Sequence, residues 1–346
     1  MRDYVSALAD GDPGFVSEIH PADEMFSYGE HSLRGNRDAG AVLYFSTGRQ
    51  IADTILAARR WRFAERDAGS LLDFASGFGR ATRFLARALP ALWVCEIDPA
   101  AVEFQQSRFG VEGLVSSGEP REFEPGRRFD AISASSFFSH LPADAFEAWM
   151  ARLYSFLSPG GLLLLSTHGA SLMKEKADWS RGLVFRRESE TERLDPAEYG
   201  TSWVRPDFVE AAAGRVTGGE ASLHVVPFGL CGHQDLYLLC RPPHLPATPP
   251  SIPRVPRGEL SALDVREGKR LLLEGWVEAD GEPIVRFFIE NRPLAISALR
   301  YGEAGRVWSF DLPVGEIAPD AVVRIEAATP EGAVRILAMG TLRPYL

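Results

Sequence analysis

From residue 71 to residue 168 the chain alternates short apolar runs with stretches whose apolar residues recur at helical spacing, and this leaves few folds open. LLDFAS (71–76), ALWVCEID (91–98), FDAISASS (129–136) and GLLLLSTH (161–168) read as strands. The last is almost wholly apolar, as a strand buried on both faces must be. GRATRFLARAL (79–89), AAVEFQQSRF (100–109) and ADAFEAWMARLYSFL (143–157) read as helices. Repetition of strand and helix at this spacing predicts an α/β fold, a parallel sheet with helices on both faces. Two further strands, SLHVVPF (222–228) and DLYLLCR (235–241), are joined only by GLCGHQ. That is too short for a helical crossover, so the last strand is expected to run antiparallel.

A second feature divides the chain. Seven prolines fall between Pro242 and Pro256, each fixing φ and removing a backbone donor, which predicts an extended linker over 242–258. The segment beyond it, 259–346, has a different grammar. RLLLEGWVEA, IVRFFIEN, PLAISAL, RVWSFDLP, AVVRIEAA and VRILAMGTL are strand-like and separated by turn residues, which predicts a small all-β sandwich. AVLYFSTGRQIADTILAARRW (41–61) reads as a helix within an N-terminal cover, 1–65, over the α/β domain at 66–241. A long insertion lies between His168 and Ser222; pieces placed there serve as lids or recognition elements, or merely as packing.

Composition sets outer limits. Of 346 residues, 45% are hydrophobic and 24% charged, which is ordinary for a globular protein. No apolar run approaches the roughly 20 residues that span a bilayer, so no membrane insertion is expected. The opening MRDYVSALADGD lacks the apolar core of a signal peptide, and Cys95, Cys231 and Cys240 have neither metal-type spacing nor an even count. Both point to a reducing cytoplasm. The net charge of −10 disfavours nucleic acid as a partner. Lys174, Lys176 and Lys269 are the only lysines, and the scattered arginine excess reads as compositional bias. Oligomeric state is not legible.

The chemistry is concentrated around L-L-D-F-A-S-G-F-G-R, residues 71–80. Gly77 and Gly79 remove side chains where a ligand approaches the backbone and a helix begins. Nineteen residues after Gly77, Glu96 ends the second strand, where it can accept hydrogen bonds from both hydroxyls of a ribose. Nicotinamide dehydrogenases share this logic. Against them stand Thr82, where a dinucleotide fold wants a third small residue, and Asp73, an acid suited to an ammonium and ill suited to a pyrophosphate. A strand, a helix, the turn Pro159–Gly160–Gly161 and another strand then follow.

With these motifs the chain resembles the class I S-adenosylmethionine-dependent methyltransferases over roughly 66–241. The resemblance implies a Rossmann-like, doubly wound, seven-stranded sheet with an antiparallel last strand, and S-adenosylmethionine as cofactor. It implies that Asp73, Ala75, Gly77 and Gly79 line the methionine part, with Glu96 and Ile97 at the ribose. Ser117 would lie toward the adenine and Ser135 would lie at the end of the fourth strand. Ala75 stands where the family usually has glycine. The wording FFSHLP, STHG, EYGTSW and GHQDLYLL further resembles a bacterial subset associated with surface-polysaccharide pathways.

In an open parallel sheet the ligand crevice lies at the carboxyl ends of the strands. His140, His168 and His233 converge there, with Tyr199 and Trp203 of the insertion placed to cover them. Transfer to a hydroxyl is helped by a base, and histidine's unperturbed pKa of about 6.5 suits it. His168 is expected first, His140 second, and His233, beside Asp235, third. No His-x-x-x-His spacing exists and no metal is expected. The expected acceptor is a hydroxyl of a sugar, glycan or other small molecule. N- or C-methylation, or NAD-dependent oxidoreduction, are the alternatives. Trp276 and Trp308 of the sandwich would either stack on sugar rings or fill its core.

Overall fold

The structure, a computed structural model, describes all residues except 1, 34, 65–68, 189–193, 244, 247, 249, 267–269, 291, 303–304, 314–317, 319–320 and 342–346. The chain divides into two compact units. One comprises residues 16–24 and 48–252, the other residues 1–15, 25–47 and 253–346.

Three helices open the chain: α1 (Arg2–Leu8), α2 (Glu24–Ser32) and α3 (Arg37–Phe63). The α/β elements follow in order: β1 (Leu71–Phe74), α4 (Thr82–Ala88), β2 (Leu92–Glu96), α5 (Pro99–Phe109), β3 (Glu112–Val115), β4 (Phe129–Ala134), α6 (Ala143–Ser155) and β5 (Leu157–Gly169). Then come the hairpin β6 (Leu183–Arg186) and β7 (Thr201–Val204), α7 (Pro206–Thr217), β8 (Ser222–Leu230) and β9 (Gln234–Cys240).

These nine strands form one sheet, two more than expected. β3, β2, β1, β4 and β5 lie side by side and parallel, and β9 joins β5 antiparallel over Leu162–Thr167, with β8 beyond it. The additional pair is β6–β7, which docks on the last residues of β5 through His168↔Trp203 and Gly169↔Val204. It pairs with β5 beyond the last β4–β5 register pair, Ala134↔Leu165, and lies beside the segment that follows β4, where the Gly200 N–H donates to the His140 carbonyl. Burial of both faces holds the sheet: Leu71, Leu72, Phe129, Ile132, Leu162 and Leu163 are fully enclosed. Asp98 caps α5 by accepting the Ala100 N–H, just ahead of Pro99 at the first helical turn.

Among the described residues the second unit holds eight strands: β10 (Arg257–Arg266), β11 (Arg270–Glu278), β12 (Ile284–Ile289), β13 (Arg292–Ser297), β14 (Leu299–Gly302), β15 (Gly305–Pro313), β16 (Val322–Ala328) and β17 (Val334–Thr341). They make two four-stranded antiparallel sheets, β10-β11-β15-β14 and β13-β12-β16-β17. Leu271, Leu273, Trp308 and Phe310 of one meet Val285, Phe287 and Ile325 of the other in a shared core. Trp308 is fully buried and donates its indole N–H to the Trp276 carbonyl, so it fills this core and is unavailable to a sugar. β10 begins inside the segment expected to be linker.

The N-terminal region also divides differently from a single cover over 1–65, a boundary that itself falls outside the described residues. Residues 25–47 bury Phe26, Tyr44 and Phe45 within the unit that contains the sandwich, where Phe15 packs edge-on against Phe45. In the same unit the Arg324 guanidinium lies between the rings of Tyr4 and Phe288, at 4.6 and 4.5 Å, and pairs with Glu326 at 2.6 Å. Arg324 is almost wholly buried. Removing one member of such a pair strands a charge, at a cost of about 3–5 kcal/mol, whereas replacing both with apolar residues is often neutral. Arg324→Ala should therefore lower the denaturant midpoint of this unit sharply. Arg324→Met combined with Glu326→Leu should restore most of it in the same unfolding measurement.

Candidate functional site

Strand order reverses direction between β1 and β4, and a crevice opens there at the carboxyl ends of the strands. Asp73 of β1 stands at this point, paired in register with Val94 of β2 on one side and Ser133 of β4 on the other. Its carboxyl is buried, and the Thr82 hydroxyl is 3.0 Å from Oδ2. Burial, and behind it the negative charge of Glu96, push the carboxyl up to about 7 against the opposing Thr82 bond. A buried acid so placed has the chemistry to receive a cationic group.

The chain after Asp73 turns through three left-handed residues: Ala75 at φ 55°, Gly77 at 58° and Gly79 at 80°. For alanine this costs about 1–2 kcal/mol. The two glycines do different work. A methyl at Gly77 would meet nothing within 4 Å, so the backbone there faces open space. A methyl at Gly79 would collide with Phe109 and stand 3.0 Å from Gln105 Oε1. Gly79 therefore lets α5 pack closely against the turn, and Gly77 is the position at which a ligand can approach.

Glu96 is held by three backbone donors. Oε2 accepts the Gly77 N–H at 2.8 Å and Oε1 the Ile97 N–H at 2.7 Å, with Asp98 adding a third. Burial raises its pKa and these bonds oppose the rise. A carboxylate has about four acceptor sites, so capacity remains for hydroxyl donors. Ile97 is exposed beside it. Ser117 is tied into its own turn, donating to Glu122 Oε2 at 2.7 Å and accepting the Glu119 N–H. The Ser135 and Ser133 hydroxyls lie 3.1 Å apart at the end of β4.

Gln105 is the residue the sequence reading missed. It is fully buried on α5, and its amide nitrogen donates to the Gly77 carbonyl and Ser76 Oγ while Oε1 faces Thr82. The available signal was a polar residue on the face of α5 that also carries Phe104. Outside the turn, residues 16–24 pack over it. His20 stacks on Phe78 at 4.3 Å, and the buried Arg83 bonds the carbonyls of Gly79, Val16 and Glu18. Gly48 of α3 closes the other side, since a methyl there would strike the Arg80 carbonyl. Arg49 is engaged with Asp53 at 3.0 Å.

The second part of the site lies at the ends of β4, β5 and β9. His140 is buried, with its ring stacked on Tyr199 at 4.7 Å, and its Nδ1 is 2.7 Å from the Gly200 carbonyl. A carbonyl only accepts, so Nδ1 carries a proton. His168 lies 6.1 Å from His140, 5.6 Å from His233 and 6.4 Å from Trp203 between ring centres. The Gln234 amide nitrogen donates to His168 Nε2 at 3.2 Å, while Gln234 Oε1 accepts from Ser166. Nδ1 then bears the hydrogen; it is buried and makes no regular hydrogen bond. Burial, and then the charges His140 and His233 would carry, push His168 down to about 4, with the Ser202 backbone partly opposing. His168 is therefore neutral at pH 7. His233 is exposed in the turn before β9, and Asp235 accepts the Phe228 N–H. Among the described residues no group of three or more His, Cys, Asp or Glu side chains could hold a metal, and no helix is long and apolar enough to cross a membrane.

The cofactor implied by the motifs can be tested against this geometry. An acid that lacks a cation, an open glycine backbone and a backbone-oriented glutamate suit the ammonium, the chain and the ribose of S-adenosylmethionine. A pyrophosphate would face Asp73 with like charge.

Residues 47–200 match the model of a family described as a methyltransferase domain. No curated protein matches the chain. Among solved structures, S-adenosylmethionine-bound CalS10, an amino pentose methyltransferase of calicheamicin biosynthesis from Micromonospora echinaspora, is 21% identical, with 56% of this chain and 94% of that chain covered and a TM-score of 0.42. DesVI of Streptomyces venezuelae is 20% identical, with 65% and 100% covered and a TM-score of 0.44. The DhpI–S-adenosylhomocysteine complex is 22% identical, with 64% and 97% covered and a TM-score of 0.41. Likeness at this level decides nothing about the acceptor. Over residues 47–200 the domain match favours methyl transfer over dehydrogenase chemistry.

The raised Asp73 fixes a stability test. The folded state keeps this proton as the pH rises from 3.8 through about 7, while the unfolded chain has lost it, so stability falls across that window. Asp73→Asn should melt above the parent at pH 8, with the gap closing towards pH 4, in thermal scans of ligand-free protein.

Proposed function

We propose that this S-adenosylmethionine-dependent methyltransferase acts on a hydroxyl of a sugar, glycan or other small molecule, with a histidine as general base. Asp73, Gly77 and Glu96 would hold the cofactor, with Ala75, Gly79, Ile97, Ser117 and Ser135 shaping or flanking its site. When bound, it supplies an electrophilic methyl group on a sulfonium. The chain's own task is then to align a nucleophile, take up its proton and exclude water.

The observation that carries this reading is the hydrogen-bond pattern of His140. Its Nδ1–H is committed to the Gly200 carbonyl, so Nε2 is the nitrogen of this ring that would take up a hydroxyl proton. This geometry suits the removal of a hydroxyl proton, which an amine acceptor already in its neutral form would not need. His168 has the opposite character. Gln234 occupies its Nε2, and its buried N–H, near the Ser202 backbone, is a donor and not a base. The two rings therefore exchange the order expected from sequence, with His140 as the base and His168 as the orienting donor. His233, exposed, lies at the rim.

Tyr199 supports the same reading. Stacked on His140, it fixes the plane of the imidazole and offers an aromatic face, and Trp203 stands beside His168. Aromatic faces with a few polar groups between them suit the apolar face and the hydroxyls of a sugar ring. The net charge of −10 argues against a polyanionic acceptor.

Free monosaccharides, nucleotide-linked sugars and small phenols incubated with methyl-labelled S-adenosylmethionine, and followed by mass spectrometry, identify the acceptor class. Label confined to amines or carbon would defeat the proposal. With the acceptor in hand, His140→Gln should lower kcat by about 10²-fold or more while S-adenosylhomocysteine affinity holds. His168→Phe should chiefly raise the acceptor KM. Full turnover in the His140 variant would remove it as the base.

A further inference from the structure

The turn after β1 holds one hydrogen too few for its contacts if Asp73 is charged. The Gln105 amide is fixed in orientation: its nitrogen lies 2.8 Å from the Gly77 carbonyl, which only accepts, and 2.9 Å from Ser76 Oγ. Its oxygen therefore faces Thr82 Oγ1, at 2.8 Å. The same hydroxyl lies 3.0 Å from Asp73 Oδ2. A threonine hydroxyl has one hydrogen, and an amide oxygen and a carboxylate have none. With Asp73 ionised, one of the two contacts would bring two lone pairs together. Asp73, Thr82 and Gln105 are all buried, where such a mismatch is costly. With the proton on Asp73 Oδ2, the carboxyl donates to Thr82, Thr82 donates to Gln105, and every contact has its hydrogen.

We propose that in the ligand-free protein Asp73 is a neutral carboxylic acid at the head of a relay through Thr82 and Gln105 to the Ser76–Gly77 turn, and that an ammonium binding beside it expels the proton to solvent. This rests on the cofactor reading above. The surroundings agree. Glu96 is the charged neighbour acting on Asp73, and its negative charge favours the neutral acid, as burial does. Ser133 from β4 and Val94 from β2 are the uncharged residues in register with Asp73. Arg83, next to Thr82 on α4, turns its guanidinium to the carbonyls of Gly79, Val16 and Glu18. The bound ammonium then supplies the positive charge that the protein does not place there. Gln105 acts as a positioning residue, since the same amide that closes the relay holds the Gly77 carbonyl at the open side of the turn.

The relay ties affinity to pH in a way that simple ion pairing does not. The test is calorimetry of S-adenosylhomocysteine binding to the full chain in pairs of buffers with different ionisation enthalpies. About 0.9 proton should be released per ligand at pH 6 and about 0.1 at pH 8, from an acid titrating near 7. Asp73→Asn should bind more weakly with no release at either pH. Thr82→Val, which removes the acceptor of the Asp73 proton, should lower release at pH 6, and Thr82→Ser should return it to the parent value. A purely structural role for Thr82 would change affinity and leave the proton count unmoved. An enthalpy independent of buffer at pH 6 would show Asp73 already ionised and overturn the relay while leaving the cofactor reading intact. No binding in any buffer would overturn both.

Discussion

A carboxyl group buried where a parallel sheet reverses its strand order is the constraint around which this molecule is arranged. Asp73 sits between β2 and β4 because β1 is the central strand, and β1 is central because its residues are apolar enough to be covered on both faces. At that position no solvent can carry the charge, so the protein must neutralise it, pair it or satisfy it with donors. It supplies one hydroxyl, from Thr82. Everything immediately downstream accommodates the choice. The left-handed turn at Ala75, Gly77 and Gly79 brings α4 back beneath the acid, α5 packs into the space left at Gly79, and Gln105 arrives with it. Glu96, a second acid, is managed by the other device, three backbone N–H groups. One acid is thus met by three backbone donors and the other by a single hydroxyl.

Much of this was legible from residue types alone, for reasons that can be stated. The strand–helix alternation is a consequence of burial on two faces, and burial writes itself into sequence as apolar runs. Asp73, Gly77 and Glu96 were legible because each interrupts such a run at its carboxyl end, where only function or a turn excuses a polar or side-chain-free residue. Gln105 was not. It lies within an amphipathic helix, where a glutamine is unremarkable until its neighbours in space are known. The β6–β7 hairpin escaped notice because its two strands are four residues each and pair with only two residues of β5. β10 was hidden by the prolines that precede it, and the order of the histidines was hidden because a tautomer depends on which carbonyl or amide lies opposite each nitrogen.

The second unit shows a different limit. Its strands follow a period of two and were mostly recognisable, yet its boundary at the N-terminal end was not. Residues 1–15 and 25–47 belong with the sandwich although more than 200 residues of chain separate them from it. Such an association rests on side-chain burial between distant segments, here Tyr4 beneath the Arg324 guanidinium. Nothing local announces that pairing. An arginine and a glutamate two residues apart in a strand point to the same face, which ordinarily means solvent. Both being buried is what turns Arg324 and Glu326 from a surface pair into a fixed one.

Backbone strain links the two halves of the candidate site. Ala75, Ser136, Phe228 and Cys231 all have positive φ without being glycine, and all stand where strands end or turn on the edge of the sheet that carries Asp73, His140 and His168. Strain of this kind persists only where surrounding contacts over-determine the conformation. The contacts are visible: Ser136 donates its N–H to Ser166, Phe228 donates to Asp235, and Ser166 and Asp235 belong to the neighbouring strands β5 and β9. Gln234 then joins Ser136, Ser166 and His168 in one network. The same network that holds the strained turns therefore sets the tautomer of His168, as the Gly200 carbonyl sets that of His140. Two imidazoles on this edge thus have their orientations set by the scaffold. In that sense the edge at β4, β5 and β9 is held by a hydrogen-bond network, whereas at β1 a buried acid meets a single side-chain hydroxyl.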